Sequence, residues 1–145
     1  MKGTLMKTSM NRRQFLQSTA IAALPVFISK NSRAQSASEQ ITLGFIGMGG
    51  HGINWNLRYF LQVPEARVLA VCDVFADRRA DAKSKVDGVY RTQDCVAYAD
   101  FRELLNRENL DAVVISTPDH WHVLMSVMAA RAGKDVFCEK PMAGS

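Results

Sequence analysis

The chain has 145 residues, 48% apolar and 22% charged, enough for one domain with a real core. The formal charge of +4 is uneven: residues 1–37 hold six bases (Lys2, Lys7, Arg12, Arg13, Lys30, Arg33) and no acid, leaving twelve bases against fourteen acids in the remainder. That mildly acidic remainder does not ask for a nucleic-acid partner, and the three cysteines, Cys72, Cys95 and Cys138, form no pair with zinc-ligand spacing and read as small buried hydrophobes.

Residues 1–34 read as an address. Arg12-Arg13 precede Phe15-Leu16, an apolar stretch runs from Ile21 to Ile28, and a polar segment ends in Ser32-Arg33-Ala34. This order resembles a twin-arginine signal, with cleavage expected after Ala34 or near Ala37, and delivery to the periplasm. The apolar part is too short for a stable membrane span and is interrupted by Pro25. Residues 35–40 read as a linker.

From residue 41 onward, apolar runs alternate with helix-compatible segments. "ITLGFIG" is a first strand, residues 50–62 a helix with Ile53, Leu57, Phe60 and Leu61 near helical spacing, and "ARVLAVCDV" a second buried strand. A polar helix over 76–86 and a short strand in "CVAYAD" follow. Asp100 is positioned to cap the helix of "DFRELLNRE", "LDAVVISTP" is a strongly β-branched fourth strand, "HWHVLMSVMAARAG" is an apolar helix closed by Gly133, and "DVFCE" is a fifth strand. Continuous apolar strands separated by helices predict an α/β fold: a Rossmann-type doubly wound parallel sheet over residues 41–145.

The glycine motif has the context it requires. Gly47-Met48-Gly49-Gly50-His51-Gly52 follows a strand and opens a helix. Gly47 allows the tight turn, Gly49 lets a pyrophosphate approach the backbone, and Gly52 lets helix and strand come close. Gly50 and His51 complete the loop, whose free N–H groups suit phosphates. Asp73 ends the second strand 21 residues after Gly52, where a carboxylate can accept from an adenosine ribose. An acid there favours NAD over NADP. Arg78 and Arg79, read as a solvated helix face, leave NADP open. Asp119-His120-Trp121-His122 has a metal-like pattern, but no histidine follows it, so no metal site is expected. Trp121 is open between packing under a cofactor and packing against neighbouring helices.

The glycine loop, Asp73, "YADFRELL", Thr117-Pro118 with His122, and Glu139-Lys140-Pro141 together resemble the Gfo/Idh/MocA oxidoreductases, the family of glucose–fructose oxidoreductase and inositol dehydrogenase, over residues 41–142. The resemblance implies that Thr117, Pro118, Glu139 and Lys140 border the nicotinamide half of the cofactor. It implies that Lys140 orients a sugar or polyol hydroxyl or helps move its proton. His122 is expected to line the cleft and His120 to face solvent. The resemblance also implies a sixth strand and a second α/β domain carrying most substrate contacts and the oligomer surface. Neither is in this sequence, so a chain truncated after the fifth strand, inactive by itself, is expected. A family branch of NAD-dependent glycosidases is an alternative, disfavoured because it carries Trp-x-Trp-His where this chain has Asp119-His120-Trp121-His122. A non-catalytic nucleotide-binding fragment is a third reading.

Overall fold

The alternation of buried runs and polar helices folds as a parallel sheet with helices on both faces. The computed structural model describes residues 40–142; the expected signal, nearly all of the expected linker and the candidate cleavage positions lie outside the described residues. The strands are β1 (Ile41–Ile46), β2 (Ala66–Cys72), β3 (Val96–Tyr98), β4 (Ala112–Ile115) and β5 (Asp135–Cys138), all parallel, in the order β3-β2-β1-β4-β5. Helix α1 opens with a π-helical stretch, Gly52–Leu57, and closes with an α-helical turn, Arg58–Phe60. Helices α2 (Ala76–Tyr90), α3 (Phe101–Leu105) and α4 (His122–Arg131) follow, α4 entered through a 3-10 turn at Asp119–Trp121.

Alternation along β1 builds two cores. Leu43 and Phe45 join Ile53 and Leu57 of α1 and Val86 of α2 on one face. Ile46 joins Leu104 and Leu105 of α3 and Met125 of α4 on the other. Burying each such side chain contributes about 1.5–3 kcal/mol before chain entropy is charged. Gly44 lets α3 come down close: a Cβ there would lie 2.8 Å from Leu104 Cδ2 and 2.9 Å from Leu110 Cδ1. The β1–β2 register shifts at this same place, between Leu43 and Gly44, as an interior glycine allows.

Helix α2 departs from its expected limit for a tertiary reason. Helix α2 runs on from residue 86 to Tyr90, whose hydroxyl accepts the Val68 N–H at 3.1 Å and whose ring lies under the Arg67 guanidinium. Arg91, at φ 56°, ends it. The segment after Pro118 starts as a 3-10 turn, so the α-helical part begins only at His122. The expected cap is present: Asp100 Oδ1 accepts the Arg102 N–H at 2.9 Å. At the sheet's opposite end the buried Lys134 donates to the carbonyls of Arg107 and Leu110 at 2.7 and 2.8 Å, so its role is structural. Among the described residues no helix is long and apolar enough to cross a membrane.

The two halves of the fold wind oppositely. From adjacent strands β1 and β4, α1 goes to one face and α4 to the other. A crevice must open beyond the carboxyl ends of those strands.

Candidate functional site

The strand ends are stitched edge to edge just before they diverge. Asp73 N–H donates to Tyr98 O, Gly47 N–H to Cys72 O, Ser116 N–H to Ile46 O, and Glu139 N–H to Ile115 O, at 3.3, 2.8, 2.8 and 3.0 Å. This row brings the glycine loop, Asp73, Thr117 and Glu139 to one rim although they are scattered through the chain.

Sterics explain the glycine spacing. Gly47 sits at φ +92°, and a Cβ there would fall 2.7–2.8 Å from the backbone of Ser116 and Thr117. A Cβ on Gly52 would lie 2.0 Å from Gly47 O. Gly49 and Gly50 differ: the former would meet only Arg78 Nη1, at 3.7 Å, and the latter nothing within 4 Å. These two positions present bare backbone to open space at the start of a helix, as a phosphate group requires. Beside them lies a cavity of about 710 Å³, lined by the glycine loop with His51, by Asp73, Val74, Phe75 and Arg78, by the β3–α3 junction, and by Thr117, Pro118 and Trp121. Its size is in the range of cofactor sites. Bare glycine backbone and this volume fit a dinucleotide.

Asp73 is buried, and its carboxylate binds backbone on both sides: Met48 N–H donates to Oδ2 at 2.7 Å and Phe75 N–H to Oδ1 at 2.9 Å. It thereby ties the glycine loop to the end of β2. Each oxygen keeps a second acceptor position for a ribose hydroxyl. On the cavity floor the Cys72 thiol is pushed up to about 12, first by burial and then by the Asp73 carboxylate, so it stays protonated and inert. Trp121 lines the cavity and meets Phe101 edge-on, with ring centroids 6.4 Å apart.

Glu139 is held from across the crevice. Asn56 Nδ2 donates to its Oε1 at 2.9 Å, and His51 Nε2 lies 3.0 Å from the same oxygen. Asn56 also donates to Ser116 Oγ at 2.8 Å. The Asn56 hydrogen bond, then that of His51, holds the Glu139 carboxyl below its ordinary range. Glu139 thus fastens the segment carrying the exposed Lys140 to the glycine-loop helix. The sequence reading passed over Asn56 and Ser116. One signal was present: Asn56 interrupts the apolar face Ile53–Leu57–Phe60 at a helical step.

His122 does not open into the cleft. It is only 2% exposed, with Nε2 2.8 Å from Thr117 O and Nδ1 2.8 Å from Pro141 O. It braces the cleft from behind, joining the ends of β4 and β5. His120 is exposed, as expected, its Nδ1 4.0 Å from Asp119 Oδ1. The two histidines do not converge on a common point, because carbonyls occupy both nitrogens of the second.

The family profile described as an oxidoreductase family with an NAD-binding Rossmann fold matches residues 41–145. The chain belongs to the Gfo/Idh/MocA oxidoreductase family. Among curated proteins it is similar to glycosyl hydrolase family 109 protein 2 of Shewanella sp. (strain ANA-3), 30% identical over 159 residues, covering 93% of this chain and 34% of that protein. Among solved structures it is similar to scyllo-inositol dehydrogenase of Lactobacillus casei with bound NAD(H) and scyllo-inositol: 25% identity, TM-score 0.65, covering 73% of this chain and 29% of that one. A 3-ketoreductase of Actinomadura kijaniata, in complex with TDP-benzene and NADP, gives 27% identity and a TM-score of 0.61, covering 72% of this chain and 30% of that one. The chain therefore spans about a third of the length of the curated relative, with its Rossmann fold and glycine loop in the family's NAD-binding region.

Proposed function

We propose that this chain holds a nicotinamide dinucleotide for an oxidoreductase that moves a hydride between the cofactor and a carbinol carbon of a sugar or polyol. The observation that supports the proposal is the tie from Glu139 through Asn56 and His51 to the glycine-loop helix, which fastens the residue next to Lys140 to that helix. Bound NAD supplies the hydride acceptor. The residues of this chain do the rest. The glycine loop takes the pyrophosphate, Asp73 faces the adenosine ribose, and Thr117 and Pro118 border the nicotinamide half. The Lys140 ammonium orients a substrate hydroxyl, and its charge favours the alkoxide that forms as the proton leaves.

The test is a graft. Residues 41–142 replace the matching segment of the Lactobacillus casei scyllo-inositol dehydrogenase, and NAD reduction with inositols and free sugars is followed by nicotinamide absorbance. Turnover that Lys140→Ala abolishes, with NAD binding kept, is the expected result. A graft that folds and binds NAD yet reduces none with any of these substrates would reject the catalytic reading and leave a binding module.

A second reading is favoured by the curated relative named as a glycosyl hydrolase family 109 protein. In that case transient oxidation of the sugar serves elimination of its aglycone. Release of nitrophenol from an aryl N-acetylgalactosaminide, by a graft onto that relative's remainder, separates it from net oxidation.

Export by the twin-arginine route belongs to the same proposal and is supported by the order Arg12-Arg13, apolar stretch, small residues. Replacing both arginines with lysine is expected to hold the precursor in the cytoplasm. Unchanged periplasmic delivery of the double variant argues for another route.

A further inference from the structure

Helix α1 begins with an uncommon winding. Residues Gly52–Leu57 form a π-helix, in which hydrogen bonds close over five residues rather than four. In an α-helix, residues five apart point about 140° away from each other, which would part His51 from Asn56. In the π winding the fifth residue comes back over the first. His51 Nε2 and Asn56 Nδ2 accordingly meet on one atom, Glu139 Oε1, at 3.0 and 2.9 Å. A carboxylate oxygen only accepts, so both nitrogens donate to it.

The extra length of the wide turn goes outward. Asn54 and Trp55 are exposed, while Ile53 and Leu57 stay in the core. The winding thus swings Asn56 to the crevice side and keeps both apolar anchors. There its amide also donates to Ser116 Oγ at 2.8 Å. One side chain ties α1 to the end of β4 and to the segment that follows β5. Asn56 does not itself line the cavity, although His51 and Ser116 do. Among the described residues Lys140 has no ion-pair partner, so its stem is held by the backbone on either side of it.

We propose that Asn56 is a positioning residue for Lys140: presented by the π winding, it acts through Glu139 to hold the Lys140 ammonium against a dinucleotide bound on the glycine loop. The proposal rests on the reading of the cavity as a dinucleotide site with Lys140 beside it. It goes beyond that reading by naming a residue outside the cavity that sets the lysine in place. An amide suits the task. It has two N–H donors, one for the carboxylate and one for the Ser116 hydroxyl, and no charge to compete for the pyrophosphate. An aspartate of the same size has no donor when ionised and faces Glu139 with like charge.

The test uses the full chain with NAD. Calorimetry reads cofactor affinity, and amine acylation mapped by mass spectrometry reads the accessibility of Lys140. In the unmutated chain, NAD should slow acylation of Lys140 severalfold. Asn56→Ala and Asn56→Asp should bind NAD within about threefold of the unmutated chain, the reach of a group acting at a distance, yet lose that protection. Amide exchange at residues 139–142 should accelerate by about ten- to a hundredfold in both, the size of a lost hydrogen bond to a charged group, while the β1–β2 ladder keeps its rate. The aspartate preserves side-chain volume and carries the test if the alanine variant fails to fold. Equal protection of Lys140 by NAD in the variants and the unmutated chain would overturn the proposal, as would an unmutated chain that binds NAD without protecting Lys140. An unmutated chain that binds no NAD would instead reject the dinucleotide site, and the proposal with it.

Discussion

The Nδ1 of His122 lies 2.8 Å from the carbonyl oxygen of Pro141, 19 residues further along the chain. Its Nε2 holds Thr117 O at the same distance. One imidazole therefore fixes the spacing between the two strand ends that border the proposed reaction site. The Lys140 segment is anchored twice, by His122 behind and by Glu139 across the crevice.

Replacing His122 with alanine removes a buried ring and the N–H that it gives to one of its two neighbouring carbonyls. A loss of about 2–4 kcal/mol of stability is expected from the cavity and the lost hydrogen bond. Hydrogen exchange around residues 139–142 should accelerate more than in the β1–β2 ladder. Uniform acceleration across the sheet would show that the ring is ordinary core rather than a brace.

The glycine loop separates two kinds of glycine. Gly52→Ala places a methyl 2.0 Å from Gly47 O and should cost at least about 1–3 kcal/mol, the range for forced overpacking, with backbone as the immovable neighbour. Gly50→Ala meets nothing within 4 Å, so thermal unfolding should change little or even improve, while cofactor affinity falls. Similar unfolding midpoints for the two variants would mean that the loop relaxes in a way its geometry denies.

Glu139 carries a pH signature. Its carboxyl is held below the ordinary range by Asn56 first and His51 second. A depressed folded value stabilises the folded state above the unfolded pKa, and that contribution is lost as pH falls through the folded one. Acid unfolding of the wild type should be steeper than that of Glu139→Gln below about pH 4.5, where carboxylates ordinarily begin to protonate. Asp111, lowered chiefly by the Thr42 backbone N–H, titrates in the same direction in both proteins and drops out of the comparison. Parallel acid profiles would show that the Asn56 and His51 contacts contribute nothing to folding.

Asp73 serves fold and ligand together. Asp73→Ala orphans the N–H groups of Met48 and Phe75 and removes a ribose acceptor. It should lower stability by about 1–3 kcal/mol and weaken NAD by about 1.5–3 kcal/mol. Chemical denaturation and calorimetry read the two effects separately. Loss of affinity with unchanged stability would leave the carboxylate with a ligand role only.

The local rules in the chain read through to the structure. The apolar runs became strands because their length and branching suit a sheet buried on both faces. Asp100 capped α3, Gly47 took the positive φ of the strand-to-helix turn, and Gly52 was needed where that turn crowds its own backbone. These are consequences of neighbours within a few residues, and the periodicity of the sequence carries them. The length of α2 was not legible, because it depends on Tyr90 reaching the backbone of β2 at Val68.

What remained for the tertiary structure was the assignment of partners. Asn56 meets Glu139 across 83 residues, and only the parallel order that sets β1 beside β4 and β4 beside β5 makes them neighbours. The same order turned His122 from a cleft-lining residue into a brace. A polar side chain on an apolar face announces that some partner exists, because an unpaired polar group is costly to bury. Which partner it finds is settled by the path of the backbone through space, and local sequence carries no trace of a hydrogen bond between segments so far apart.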